Sequence, residues 1–211
     1  MRLYLSSERL GERAGALLAM VSGPRVAVIA NGYNSCSDIY RAELYDPITE
    51  FASLGLVAEQ LNLRAHFGDP ASLRKRLGAY DLVWVMGGNS FVLRRAMRSS
   101  GFDRVINELL EADAIAYGGY AAGAVVAGPS LRGLELMDDP WEVPEGYDEP
   151  LIWSGLGLTP FAIVPHYRSR HPEAAAAEKV VSYMAARKAR YRALSDGEVI
   201  VRVGNLERLA S

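Results

Sequence analysis

The segment from Ala114 to Ser130 constrains the fold more than any other part of the chain. It begins with a short apolar run, passes through Gly118-Gly119, and continues with small residues that favour a helix. A buried strand, a tight turn and a helix start produce this pattern, and glycine lets the two backbones approach closely. The segment therefore predicts a strand followed directly by a helix, the repeating unit of α/β folds.

The turn itself matches a nucleophile elbow in every respect but one. An elbow holds a catalytic side chain on a strained strand-to-helix turn and usually reads Gly-x-Ser-x-Gly. Here the turn reads Gly119-Tyr120-Ala121-Ala122-Gly123, so Ala121 occupies the tip. Because alanine has no oxygen, the sequence predicts the shape of an elbow without its nucleophile.

Short apolar or β-branched runs alternate with helical segments along the rest of the chain. This alternation predicts right-handed crossovers and a three-layer α/β fold, with a mostly parallel sheet between helices, in one domain over residues 1–211. A hairpin turn at 195–197 is expected at an antiparallel edge, and a flap or small hairpin is expected in 129–153. The predicted strands are 2–5, 25–30, 56–61, 81–86, 114–118, 161–164, 190–194 and 198–203. The predicted helices are 12–20, 40–54, 69–77, 90–97 with 102–110 as one or two helices, and 171–187. Pro47 can start a second piece of the helix over 40–54, and Asp69 followed by Pro70 indicates an N-cap with proline at the first helical position.

Composition and charge exclude several kinds of partner. The net charge of −2 over 211 residues gives no reason to expect nucleic acid or an anionic membrane. No run reaches the ~20 apolar residues of a membrane span, and the first residues show no signal-peptide pattern. Cys36 is the one cysteine, so no internal disulfide can form and a cytoplasmic location is expected. Its thiol is expected to be buried and inert rather than a nucleophile.

Three loops follow predicted strands of the sheet, at 87–89, 119–123 and 165–171. The carboxyl ends of parallel strands meet at one edge of a sheet, which is the usual position of a ligand crevice. His166 follows a buried strand, where a general base would lie, and Asp196 comes later in the chain, as an orienting carboxylate would. Asp138 and Asp139 are the rival acids for that role.

Two backbone groups complete a predicted acyl-transfer site. The N–H groups of Gly88 and Ala122 are expected to form an oxyanion hole, because both follow strands at the same edge. Such donors belong to the main chain and do not depend on a serine side chain. Asn89 and His171, which lie in the same loops, are candidate substrate-binding residues.

These motifs, in this order, resemble the peptidase E family of aspartyl dipeptidases, whose fold is similar to that of class I glutamine amidotransferases. The resemblance spans most of the chain and implies a catalytic serine, histidine and late acid at the positions of Ala121, His166 and Asp196. It further implies removal of an N-terminal aspartate from short peptides, no metal and no cofactor, and a homodimer as a common assembly. The matching segments are 87–91, 119–124, 128–130, 165–167, 171–173 and 195–197.

The chain departs from the pattern of that family at a few positions. Ala121 replaces the serine, and Met86 replaces the first residue of a triple glycine. Arg168 and Arg170 flank Ser169 where an acidic residue is expected in relatives. One of these arginines is expected to hold an acidic substrate side chain through a bidentate contact, and the alternative is that both are solvated loop charges.

Three functions are compatible with these residues. The first is a serine peptidase acting on short peptides with an acidic N-terminal residue, inactive here because Ala121 is an engineered or natural replacement. The second is a non-catalytic protein that binds a peptide or an amino-acid derivative. The third is a biosynthetic hydrolase or amide-forming enzyme acting on a non-peptide amide. In each case the expected partner is a small peptide or amide.

Overall fold

Nine strands occur in the part of the chain that the computed structural model describes, which is residues 1–37, 39–40, 45–204 and 206–210. All are short, with three to five residues each. They are β1 (Arg2–Ser6), β2 (Arg25–Ile29), β3 (Val57–Gln60), β4 (Leu82–Val85), β5 (Ala116–Tyr120), β6 (Ala162–Val164), β7 (Tyr191–Ala193), β8 (Val199–Val203) and β9 (Leu206–Ala210).

The main sheet has seven strands in the order β3-β2-β4-β5-β1-β8-β9. The first five in this order are parallel, and β1 pairs antiparallel with β8, which pairs antiparallel with β9. All residues of β4 and β5 are buried, as expected for central strands covered on both faces. A separate two-stranded sheet is formed by parallel pairing of β6 with β7.

Helices cover both faces of the main sheet. Leu17 and Phe51 belong to the core on one face, around Trp84, whereas Phe91 and Phe102 belong to the larger core on the opposite face. The helices are α1 (Ala14–Met20), α2 (Pro47–Ser53), α3 (Pro70–Leu77), α4 (Ser90–Ser99), α5 (Phe102–Glu111), α6 (Ala122–Val125) and α7 (Ala174–Ala186). Of these α7 is the longest, at 13 residues, and the described part of the chain holds no membrane-spanning helix.

The predicted α/β class with a mostly parallel sheet is confirmed, and helix α3 starts as the sequence indicated. The Asp69 side chain accepts a hydrogen bond from the Ser72 N–H, and Pro70 takes the first helical position. The predicted helix over 40–54 is observed as α2, which begins at Pro47. Residues 41–44 of that prediction, and Asp38 in the preceding loop, lie outside the described residues.

The predicted hairpin around Ser195-Asp196-Gly197 is wrong. Strand β7 before this turn pairs with β6, and strand β8 after it pairs with β1 and β9. The turn therefore connects two sheets, because pairing with distant strands outweighs the local preference of an Asp-Gly dipeptide. The antiparallel edge is formed instead by β8 and β9, and β9 was not predicted.

The segment between Ser130 and Ser154 is an irregular loop rather than a hairpin. A single antiparallel bridge joins Ser130 to Ser154, and the loop between them includes a 3₁₀ turn at Leu134–Leu136. The buried Arg95 of α4 holds this loop through hydrogen bonds to three of its backbone carbonyls. Those acceptors are the carbonyls of Glu149, Glu142 and Pro140, at 3.2, 3.3 and 3.0 Å.

Replacing Arg95 with methionine is expected to increase local opening of the loop between Ser130 and Ser154 while the main sheet stays folded. Methionine keeps the apolar stem but leaves three carbonyls without their charged donor, which costs about 2 kcal/mol of unfolding free energy. Limited proteolysis should show faster cleavage within residues 138–150. The control Arg104→Met removes an exposed arginine from α5 and should leave the cleavage rate unchanged. Equal cleavage of both variants would refute the anchoring role of Arg95.

Candidate active site

The elbow forms where β5 meets α6. Ala121 lies at the tip with φ 45° and ψ −118°, a conformation that residues other than glycine rarely adopt. Its N–H donates to the carbonyl oxygens of Ser6 and Ser7, at 3.3 and 3.2 Å, so the end of β1 supports the tip. A strained backbone of this kind costs about 1–3 kcal/mol and persists only when its surroundings hold it.

His166 and Asp196 form a hydrogen-bonded pair beside the elbow. His166 follows β6 and is 2% exposed, and Asp196 lies in the turn after β7. The Nδ1 of His166 is 2.8 Å from Oδ1 of Asp196. Because a carboxylate oxygen accepts, this bond places the proton on Nδ1 and leaves the lone pair of Nε2 available. The pair has the arrangement of a general base and its orienting acid.

Ser7 supports this pair, and the sequence analysis missed it. Its Oγ accepts a hydrogen bond from the His166 N–H at 2.7 Å and lies 2.8 Å from the Asp196 carboxylate, to which it donates. The Asp196 N–H in turn donates to Ser169 Oγ at 2.7 Å. The available signal was the pair of serines directly after the apolar residues of β1, at the carboxyl edge of the predicted sheet.

The predicted oxyanion donors line the same cavity as the elbow. In the described part of the chain, the N–H groups of Gly88 and Ala122 make no hydrogen bond. Gly88 has φ 91°, and a Cβ there would lie 2.5 Å from the carbonyl carbon of Gly32, so only glycine is accommodated. Two unused main-chain donors near an elbow are what a developing oxyanion requires.

A cavity of about 390 Å³ brings these groups together, since Ala121, Ala122, Gly88 and His166 all contribute to its wall. The cavity is acidic. Among the described residues that line it, Arg9 is the one arginine or lysine. The lining carboxylates are those of Glu8, Asp138, Asp139, Glu142 and Glu173.

Comparison with known proteins identifies the family. A sequence model of peptidase family S51 matches residues 17–208. The chain belongs to peptidase family S51. An uncharacterized peptidase of Listeria monocytogenes is 28% identical over 152 residues, which cover 71% of this chain and 69% of that protein. Peptidase E of Streptomyces coelicolor is 36% identical over 105 residues, which cover 50% of this chain but only 38% of that protein.

Solved structures support the same fold. The crystal structure of a candidate peptidase E protein from Listeria monocytogenes matches with a TM-score of 0.80 and 23% identity. That match covers 99% of this chain and 97% of the Listeria chain. A peptidase from an acI-B1 Actinobacterium matches with a TM-score of 0.69 and 16% identity, over 99% of this chain and 86% of that chain. At sequence identities this low, the two matches show that the S51 chain shares their fold.

Two of the predicted substrate residues of this S51 chain lie at the cavity. Asn89 uses its side-chain oxygen to cap α4 and donates its amide to the Asp139 carbonyl and to Glu142. Asn89 therefore holds the part of the cavity wall that contains Asp139 and Glu142. His171 stacks on His166, with ring centroids 3.7 Å apart and ring planes 11° apart.

The other two predicted substrate residues lie outside the cavity wall. Arg168 is exposed, with its guanidinium over the Tyr167 ring and its Nε 3.9 Å from Glu178. Arg170 is also exposed, and neither arginine contributes to the cavity lining of the S51 chain. Glu173, which the sequence analysis did not select, does line it and lies 3.9 Å from His166 Nε2.

Asp138, the rival acid of the sequence analysis, contacts the start of α4 rather than the imidazole. The Ser90 N–H and hydroxyl donate to its Oδ2 at 2.9 and 2.6 Å. Burial raises the pKa of the Asp138 carboxyl to about 6 against the effect of these bonds, and the charges of Glu173 and Glu142 raise it further. Asp138 therefore binds a proton more tightly in the folded S51 chain than in the unfolded chain.

This raised pKa predicts how stability depends on pH. Between about pH 4 and about pH 6 the folded state keeps a proton on Asp138 that the unfolded state releases, so raising the pH favours unfolding. The unfolding free energy of the natural chain should fall relative to that of Asp138→Asn across this range, measured by urea titration. A constant difference between the natural chain and Asp138→Asn would contradict the raised pKa.

Proposed function

We propose that this chain has the site of a serine-type peptidase for short peptides with an acidic N-terminal residue, and that Ala121 stops its turnover. The observation that carries the proposal is the His166–Asp196 pair lining the same cavity as the elbow tip. The unused donors of Gly88 and Ala122 support it. These groups would supply a serine at position 121 with a base, an orienting acid and two main-chain donors.

The reaction with a serine at position 121 follows from these positions. The serine Oγ attacks the scissile carbonyl carbon while His166 Nε2 takes its proton, and Asp196 stabilises the resulting imidazolium. The carbonyl oxygen becomes an oxyanion that the N–H groups of Gly88 and Ala122 bind. The intermediate collapses, the C–N bond breaks, and His166 gives its proton to the leaving amine. Water then hydrolyses the acyl-enzyme by the same steps.

The proposed preference for an acidic residue rests on the family and on one side chain. Relatives of this chain include proteins named peptidase E, and the resemblance to that family implies aspartyl substrates. Arg9 lines the cavity and is the side chain best placed to pair with a substrate carboxylate. Its Nε lies 3.7 Å from Glu8, an exposed contact that a substrate carboxylate can replace.

The test is to restore the serine and measure hydrolysis. Ala121→Ser should hydrolyse aspartyl dipeptides and chromogenic aspartyl amides, and the natural chain should not. In the Ala121→Ser background, Arg9→Met should raise KM for the aspartyl amides more than for alanyl amides. If Ala121→Ser shows no turnover of any short peptide amide, the peptidase proposal fails.

A second function, binding without catalysis, is favoured by Ala121 itself. The one missing group is the nucleophile, while the cavity, the donors and the His166–Asp196 pair are all retained. In that case the natural chain serves as a sensor of a peptide or an amino-acid derivative. Calorimetry separates the two functions, because tight binding of a peptide together with no turnover by Ala121→Ser supports the sensor.

A further inference from the structure

The Nε2 atom of His166 has no hydrogen-bond partner among the described residues. The bond from Nδ1 to Asp196 leaves a lone pair on Nε2, and the ring is buried at the cavity wall. A serine at position 121 would supply the missing donor, but Ala121 cannot. Glu173 Oε2 is 3.9 Å away, which is too far for a hydrogen bond. A lone pair that faces the cavity and has no donor is available to a cation.

Two further ligand groups lie next to this nitrogen. His171 stacks on the His166 ring, and Glu173 follows two residues later. One potential ligand atom from each of His166, His171 and Glu173 lies within 4.8 Å of the others. Two histidines and one glutamate are a ligand set of catalytic zinc sites, which keep a fourth position open to solvent or substrate.

We propose that His166, His171 and Glu173 bind a divalent transition-metal ion of the Zn²⁺ class at the position that the missing serine hydroxyl leaves open. Asp196 completes the arrangement, since metal-bound histidines usually donate their second ring nitrogen to a carboxylate. The other carboxylates of the cavity raise the local concentration of cations. The site is specific to a chain with alanine at position 121, whereas the resemblance to peptidase E implies no metal.

Binding requires one local change. The rings of His166 and His171 are nearly parallel, at 11°, and a metal ion must lie in the plane of each ring that it binds. The ring of His171 therefore turns to present a nitrogen to the ion. His171 is only partly buried, and among the described residues the one hydrogen bond to its ring comes from the Glu173 N–H at 3.2 Å. The rotation therefore breaks this bond and the stacking on His166.

Titration of the natural, tag-free chain with Zn²⁺ tests the site. Calorimetry at neutral pH should give one ion per chain, and binding should weaken by about 100-fold in His171→Ala and in Glu173→Gln. Co²⁺ should give the visible absorption of a four- or five-coordinate ion, and both variants should lose it. Asp196→Asn should weaken binding by about 10-fold or more, because it acts on the ligand His166.

Matched controls remove the same kinds of side chain elsewhere. His66→Ala removes a partly exposed histidine whose ring contacts Ser72, and Glu178→Gln removes an exposed glutamate of α7. Both should bind Zn²⁺ as the natural chain does. Binding no tighter than millimolar, or equal binding by the double variant His171→Ala/Glu173→Gln, would overturn the proposal. The experiment needs no turnover, so its outcome is independent of the peptidase test.

Discussion

A serine at position 121 is expected to raise kcat for a short aspartyl amide by about 10⁶-fold over the natural chain. Loss of the nucleophile from a serine peptidase removes most of its rate, and the remaining donors and binding groups retain only a residual part. The backbone at the tip is already in the elbow conformation, with its N–H held by the carbonyls of Ser6 and Ser7. The new hydroxyl therefore needs no rearrangement of the main chain.

Two further substitutions in the Ala121→Ser background show whether the gain comes from the proposed chemistry. His166→Ala should return the rate to that of the natural chain, because the hydroxyl then loses its base. Asp196→Asn should lower kcat by about 10⁴-fold or to the same floor, because the imidazole loses the partner that fixes its tautomer. A gain that survives either change would show that the hydrolysis occurs elsewhere, and all three proteins should unfold at similar urea concentrations.

Gly123→Ala is expected to destabilise the fold by about 3 kcal/mol or more, or to prevent folding. A Cβ on Gly123 would lie 2.1 Å from the carbonyl oxygen of Val85 and 2.7 Å from its carbonyl carbon. Both atoms belong to the main chain of β4, so relief requires moving a central strand rather than rotating a side chain. The measurement is urea unfolding followed by circular dichroism.

The control for this substitution is Gly15→Ala in α1. A Cβ on Gly15 would meet no atom within 4 Å, so alanine should leave stability unchanged or raise it by about 0.5–1 kcal/mol. If Gly123→Ala unfolds at the same urea concentration as the natural chain, the close approach of α6 to β4 cannot be what requires glycine there.

Features encoded by neighbouring residues were predictable from the sequence. Five consecutive residues determine the elbow, and two adjacent residues determine the N-cap of α3. Both features were therefore predicted at the correct positions. The alternation of strands and helices is also local, and it led to the correct fold class. His166 was correctly expected to follow a strand, but that strand, β6, pairs with β7 in a separate sheet rather than in the main sheet.

Features that depend on distant parts of the chain were not predictable in this way. The turn at 195–197 has the same local sequence whether its flanking strands pair with each other or with β6 and β1. Ser7 contacts residues more than 150 positions away, and its position after β1 does not by itself show which residues it will contact. The acidity of the cavity depends on the irregular loop after Ser130, whose path is fixed by Arg95 rather than by periodicity.

The support of the elbow from main-chain groups has a consequence for how such a protein evolves. The N–H of Ala121 holds the elbow tip, and hydrogen bonds to Ser7 and Asp196 hold His166. None of these contacts uses the side-chain oxygen that position 121 lacks. Under the proposed function, loss of this one oxygen removes catalysis without removing any contact that holds the fold. A lineage would then lose the reaction and keep the fold, and one substitution would restore the nucleophile.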